Sequence, residues 1–230
     1  MPTCIWNLKS APVDLSDSEG RVCYGGLDLA STTDITSFVL VFSPETGDER
    51  YVIAPWFWIP EDNLTLRVNR DRVPYDLWQQ QGFLQTTEGN VVHYGVIEAF
   101  IEQLGERFDI REIAFDRWGA VQMSQNLEAL GFTVVPFGQG FKGMSPPSKE
   151  LMRLALEGKL AHGGRPVLSW MVDNIHVHTD PVGNIRPDKQ KSIEKINGVV
   201  ATIMALDREI RYGSTSTSGS VYDERGLLVF

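Results

Sequence analysis

With 230 residues, 42% of them hydrophobic, the chain is long enough to bury one substantial core and reads as a single globular domain with tails. It has no run of about 18 apolar residues and no signal-peptide pattern at its start, so the expectation is a soluble, cytosolic protein with no membrane partner. A formal charge of −9 weighs against gripping nucleic acid by bulk electrostatics; any such affinity has to be local, helped by divalent cations in an acidic pocket.

Residues 1–20 carry Pro2, Pro12, Asp14, Asp17 and Gly20 with little periodicity, which predicts an extended N-terminal arm on which Trp6 docks locally. Cys4 and Cys23 are too few and too irregularly spaced for a disulfide framework or a zinc site, and Cys23 reads as core filling. A buried strand is predicted over 22–29, where Val22, Tyr24, Leu27 and Leu29 are apolar or aromatic and Gly25-Gly26 let another backbone come close. Asp28 at its end is costly to desolvate. It must find a basic partner or help hold a metal ion.

Segments 35–43 and 50–58 are β-rich and flank a turn at Pro44-Glu45-Thr46-Gly47-Asp48, so the first three strands read as an antiparallel meander. Residues 60–92 mix charge and aromatics, with Arg67, Arg70 and Arg72 read as a solvated surface and Pro74–Gln79 as a short helix. Helical spacing returns at Tyr94, Ile97, Ile101, Leu104 and Phe108, followed by a strand over 110–116 that ends in Asp116. A helix over 121–130 and a strand over 132–137 complete β-α-β units appended to the meander. The fold class is therefore α/β, a mixed sheet of antiparallel meander plus parallel strands flanked by helices.

Gly138-Gln139-Gly140-Phe141-Lys142-Gly143 matches a dinucleotide-binding fingerprint, but it follows a late strand and the next helix is expected only near Pro146-Pro147. It reads as a flexible loop near the site. Helices over 148–156 and 166–174 precede a hairpin at 175–186 around Asp180-Pro181-Val182-Gly183. His176 and His178 share a strand face, yet nothing at matched spacing would complete a metal site with them. A long helix is predicted over 193–210, its apolar stripe including Ile196, Val199, Val200, Ile203 and Leu206, with Gly198 allowing close approach to the sheet. The remainder, 213–230, reads as a low-complexity linker and a flexible C-terminal tail with partner contacts.

Two strand-end carboxylates suit a shared ion site. Two-metal phosphodiester hydrolysis needs carboxylates that bridge and flank ions about 3.5–4 Å apart, with a third ligand arriving from a helix laid across the sheet edge. Position 197 supplies Asn, whose amide oxygen can coordinate Mg²⁺ or Mn²⁺ but brings no charge, so one ion should bind more weakly. Glu194 could substitute. Asp207 lies roughly 15 Å farther along a helix axis, too far to share the ion. The competing reading has Asp28 and Asp116 capping turns or pairing with Arg117.

Beyond the two aspartates, a series of motifs in order carries a likeness: Tyr24-Gly25-Gly26-Leu27-Asp28-Leu29-Ala30-Ser31-Thr32-Thr33-Asp34, Phe57-Trp58-Ile59-Pro60-Glu61, Arg72-Val73-Pro74-Tyr75-Asp76, Ile113-Ala114-Phe115-Asp116-Arg117, Pro136-Phe137-Gly138-Gln139-Gly140 and Lys195-Ile196-Asn197-Gly198. Over residues 20–212 the chain resembles the nuclease domain of phage large terminases of the HK97-like type. The resemblance implies a ribonuclease-H-like domain over 21–212 between the arm and the tail, and a metal-dependent endonuclease that cuts concatemeric viral DNA during packaging in the host cytoplasm.

It also implies two bound ions, Mg²⁺ or Mn²⁺, and an acidic triad falling on Asp28, Asp116 and Asn197, the last in place of the family's Asp. The implied partners are double-stranded viral DNA, a terminase ATPase motor, the small terminase subunit and the portal protein. No Gly-x-x-x-x-Gly-Lys-Ser/Thr loop occurs, so the expectation is a nuclease domain apart from its motor. Two other classes compete: a catalytically inactive packaging module, favoured by Asn197, and an actin-like ATPase with residues 28–32 as its phosphate loop, for which no second phosphate segment is found.

Overall fold

In the computed structural model, residues 6, 12–29, 35–62, 64–116 and 121–213 are described. The remaining arm residues, the expected tail from 214 onward and Arg117 lie outside them. Three apolar segments form the expected antiparallel meander: β1 (Val22–Asp28), β2 (Thr36–Phe42) and β3 (Tyr51–Pro60). On the far side of β1, β5 (Asp109–Asp116) adds in parallel and β6 (Val134–Phe137) adds in parallel to β5. The short strands β4 (Gln85–Thr87) and β7 (Leu160–Ala161) both run parallel to β3. The result is a seven-stranded mixed sheet of order β4-β3-β2-β1-β5-β6, with β7 beside β3.

Every residue of β2 is buried. A strand covered on both faces has no reason to alternate apolar with polar, which is why Phe38-Val39-Leu40-Val41-Phe42 is unbroken. Its odd and even side chains enter two separate cores. Phe38, Leu40 and Phe42 pack with Ile97, Ile101 and Leu104 of α3 (Tyr94–Arg107) and with Met123 and Leu127 of α4 (Val121–Ala129). Val39 and Val41 pack instead with α5 (Phe141–Glu157), α6 (Pro166–Asn174) and α7 (Asn197–Tyr212). Two small helices, α1 (Leu64–Asp71) and α2 (Tyr75–Gln80), follow β3, and a hairpin of β8 (Val177–Thr179) and β9 (Ile185–Pro187) stands apart from the main sheet. Cys23 is fully buried, and desolvation pushes its thiol up, as suits core filling. No helix among the described residues is long and apolar enough to cross a membrane.

Several expectations need correction. The helix expected from Ser148 begins at Phe141, directly after Gly140, and carries Pro146 and Pro147 inside it. Proline favours a helix's first turn, where its missing N–H is not needed, and so it reads as a start signal even when it falls later. The last helix starts at Asn197, not Ile193, which is 82% exposed. Asp188 holds the preceding segment in another conformation by accepting the Gln190 and Lys191 N–H groups on its carboxylate. Arg67 is buried, not solvated, because it lies on the inner side of α1 with Leu64 and Val68.

Trp6 docks far along the chain, not locally. Its ring stacks on His162 at 4.2 Å, its indole N–H donates to Ser169 Oγ at 3.2 Å, and its carbonyl accepts from His162 Nε2 at 2.9 Å. Burial holds the His162 imidazole below its ordinary pKa, partly opposed by the Trp6 carbonyl. A depressed histidine contributes stability that is complete above its unfolded pKa and is lost as pH falls through the folded one. Acidification from about pH 7 to about pH 5 should therefore loosen the docking of Trp6 on His162. The check is the Trp6 indole N–H resonance, which should lose its exchange protection on acidification, whereas His162→Phe, which keeps the stacking, should give a flat response.

Candidate metal centre at the sheet edge

β1 and β5 are parallel neighbours with Leu27 opposite Phe115. Asp28 and Asp116, the next residue on each, therefore leave the sheet together at its carboxyl edge. The third candidate is brought there by a helix running the opposite way. Gly26 is the contact point: a Cβ on it would lie 2.0 Å from the Ala201 carbonyl oxygen, so α7 backbone rests directly on β1. From Ala201 back to Asn197 is about 6 Å of helix, and from Gly26 forward to Asp28 is about 7 Å of strand.

The far end of α7 fixes this direction. Ser43 Oγ donates to Glu209 Oε1 at 2.8 Å and Arg208 Nε to Glu112 Oε2 at 2.6 Å, both near the start of β1, where Cys23 pairs with Phe42. Gly198 permits the tight seating at the near end. A Cβ there would come within 2.6 Å of Phe57, and its N–H points at Met171 Sδ, 3.1 Å away.

Asp28 is 1% exposed. Lys189 Nζ donates to its Oδ1 at 2.8 Å and lies 2.7 Å from its Oδ2, while Gln139 Nε2 donates to Oδ1 at 3.3 Å. Apart from the ammonium contact, Oδ2 takes no well-formed hydrogen bond. Burial pushes the Asp28 carboxyl above its ordinary pKa; Lys189 and Gln139 oppose the rise and the nearby Asp116 charge adds to it. Asp116 is only half-buried, and Asn197 is 4% exposed at the first turn of α7.

Nothing in the sequence alone singles out Lys189 and Gln139 as partners of Asp28. The demand of a buried Asp28 for a cation was legible, but Lys189 lies 161 positions away, in the segment between β9 and α7. Gln139 sits just after β6, whose carboxyl end points the same way as those of β1 and β5. The other candidates go elsewhere. His178 packs edge-on against Phe141 with Nδ1 3.9 Å from Asp188, and Asp207 accepts from Arg211 at 2.8 Å. Glu194 shares a small cavity of about 130 Å³ with Lys189 and Asn197.

Among the described residues no three His, Cys, Asp or Glu side chains gather into a metal cluster. The candidate donors are therefore two carboxylates at adjacent strand ends and an amide at the first residue of α7. The set suits a cation, since the desolvated Asp28 carboxylate already holds the Lys189 ammonium against both of its oxygens. Beside it opens a polar cavity of about 380 Å³ whose charged lining is Arg186, Lys189 and Lys191 together with Asp188, with Gln139 and His178 alongside. With Lys195 these make four basic residues within 186–195, against the two acidic residues Asp188 and Glu194, in a chain whose net charge is −9.

The sequence model for the terminase large subunit endonuclease domain matches residues 4–211. The chain is 37% identical over 206 residues to the large terminase subunit of Enterobacteria phage HK97, covering 89% of this chain and 40% of that protein. It is 30% identical over 222 residues to the YmfN protein of Escherichia coli K12, covering 93% and 49% respectively, so it spans less than half the length of either relative. The crystal structure of the HK97 large terminase superposes with a TM-score of 0.82 at 35% identity, over 90% of this chain and 43% of that one. The magnesium-bound large terminase nuclease of thermophilic phage G20c shares the fold at a TM-score of 0.54 and 15% identity, over 83% and 85%. The mixed sheet is of the ribonuclease-H-like kind seen in these nucleases. On the match across nearly its whole length, this chain belongs to the family of terminase large-subunit endonuclease domains.

Proposed function

We propose that this chain is a divalent-metal-dependent endonuclease module that cuts concatemeric viral DNA during genome packaging, with Asp28 and Asp116 as charged ligands and Asn197 as a neutral third. The observation that supports the reading is that Asp28 and Asp116 follow paired residues at the ends of adjacent parallel strands, on a sheet that α7 crosses at Gly26. When bound, the ions supply a water of lowered pKa and charge stabilisation at the leaving oxygen.

The chain's own residues orient and shield. Gln139 orients the Asp28 carboxylate, which packing leaves 1% exposed. Arg186, Lys189 and Lys191 line a polar cavity suited to backbone phosphates, a local answer to the repulsion of an acidic protein for DNA. The motor subunit, small terminase subunit and portal belong to the same proposal as partners of the larger assembly, with the host cytoplasm as its setting.

The test is nicking of supercoiled plasmid in Mn²⁺ or Mg²⁺. Wild-type protein should nick slowly, and Asn197→Asp should raise the rate about tenfold by adding a charged ligand. Absence of nicking by both proteins, with their folds intact, would favour the catalytically silent packaging module instead.

A further inference from the structure

The ammonium of Lys189 lies within 2.8 Å of both oxygens of Asp28, where a cation held by that carboxylate would sit. An ammonium and a divalent ion cannot share those oxygens, because both are positive and the separation would be only a few ångströms. The backbone carrying Lys189 is anchored: Asp188 accepts from the Gln190 and Lys191 N–H groups, and its carbonyl accepts from Ser192 Oγ at 2.7 Å. The side chain has room to move. It is 39% exposed and borders both the polar cavity and the smaller one that Asn197 lines.

We infer that Lys189 is a tethered internal counter-ion that competes with the divalent cation for Asp28. It keeps the buried carboxylate neutralised while the site holds no metal and swings into the polar cavity as the metal is taken up. This rests on the metal-dependent reading above and deepens it. A neutral ligand at 197 weakens metal binding and a resident ammonium raises the threshold further, so the protein without substrate stays a poor binder of free ions. In the cavity the released ammonium joins Arg186 and Lys191, where a DNA phosphate would hold it away from Asp28.

Two measurements on the full chain test this. Calorimetric titration with Mn²⁺ should show Lys189→Met binding at least tenfold more tightly than wild type, and Lys189→Arg close to wild type. Acetylation of lysines in the wild-type protein, quantified peptide by peptide, should find Lys189 protected without metal and several-fold more reactive at saturating Mn²⁺. The second measurement needs no variant and so survives a failure of Lys189→Met to fold. Mn²⁺ binding that is unchanged or weakened in Lys189→Met, or Lys189 equally protected at saturation, would overturn the exchange while leaving the metal reading in place. If neither wild type, Lys189→Met nor Asn197→Asp takes up Mn²⁺, both readings fall together.

Discussion

Replacing Gly26 by alanine should destabilise the protein by about 3 kcal/mol, the upper part of the range for overpacking a close-packed core. The added methyl would sit 2.0 Å from the Ala201 carbonyl oxygen and 2.9 Å from the Ala205 nitrogen. Both obstacles are helix backbone, so no rotamer change relieves the clash, and either β1 or α7 must move. Neither moves cheaply. β1 is hydrogen-bonded on both sides, to β2 and β5, and α7 is pinned at its far end by the Ser43–Glu209 and Arg208–Glu112 contacts. Urea unfolding should show a lower midpoint at unchanged slope. The displacement also shifts Asn197 relative to Asp28, so surviving folded protein should nick more slowly than its population alone explains. Gly25→Ala is the control, because its nearest obstacles are side-chain atoms of Ile113 and Phe38 at 3.1 Å.

Asp116→Ala should reduce metal-dependent nicking at least about 100-fold with little change in stability. Asp116 is half-buried at the strand end, so removing its carboxylate leaves no large cavity. Its loss takes away one of two charged ligands in the proposed site, and the amide of Asn197 cannot replace that charge. Asp28→Ala is a less clean experiment. It removes a carboxylate that Lys189 and Gln139 both engage and orphans an ammonium beside the core, so activity and stability would fall together. Nicking by Asp116→Ala within a few-fold of wild type, at matched fold, would remove Asp116 from the site.

Much of the architecture was readable because it rests on local pattern. The meander, the β-α-β units and the hairpin around Asp180 follow from apolar runs, helical spacing and turn residues within short windows. Errors came where a local signal had two meanings. Pro146-Pro147 marks a helix start in most contexts but here sits inside α5, and the apolar Ile193 extends the stripe of α7 although Asp188 keeps that segment out of the helix. Arg67 reads as surface because a guanidinium is ordinarily solvated, and only the packing of α1 puts it on the buried side with Leu64 and Val68.

Two strands ending in aspartate, the need of a buried Asp28 for a positive charge, and a long apolar-striped helix containing Gly198 are all legible in short stretches of the chain. It takes the assembled fold to show that β1 and β5 are parallel neighbours in register, that α7 runs antiparallel across Gly26, and that the charge answering Asp28 is Lys189, with Gln139 beside it. The division has a physical cause. Desolvation cost and helical or strand period are properties of a few consecutive residues, whereas the partner of a buried charge is whatever residue the packing of distant elements brings within 3 Å.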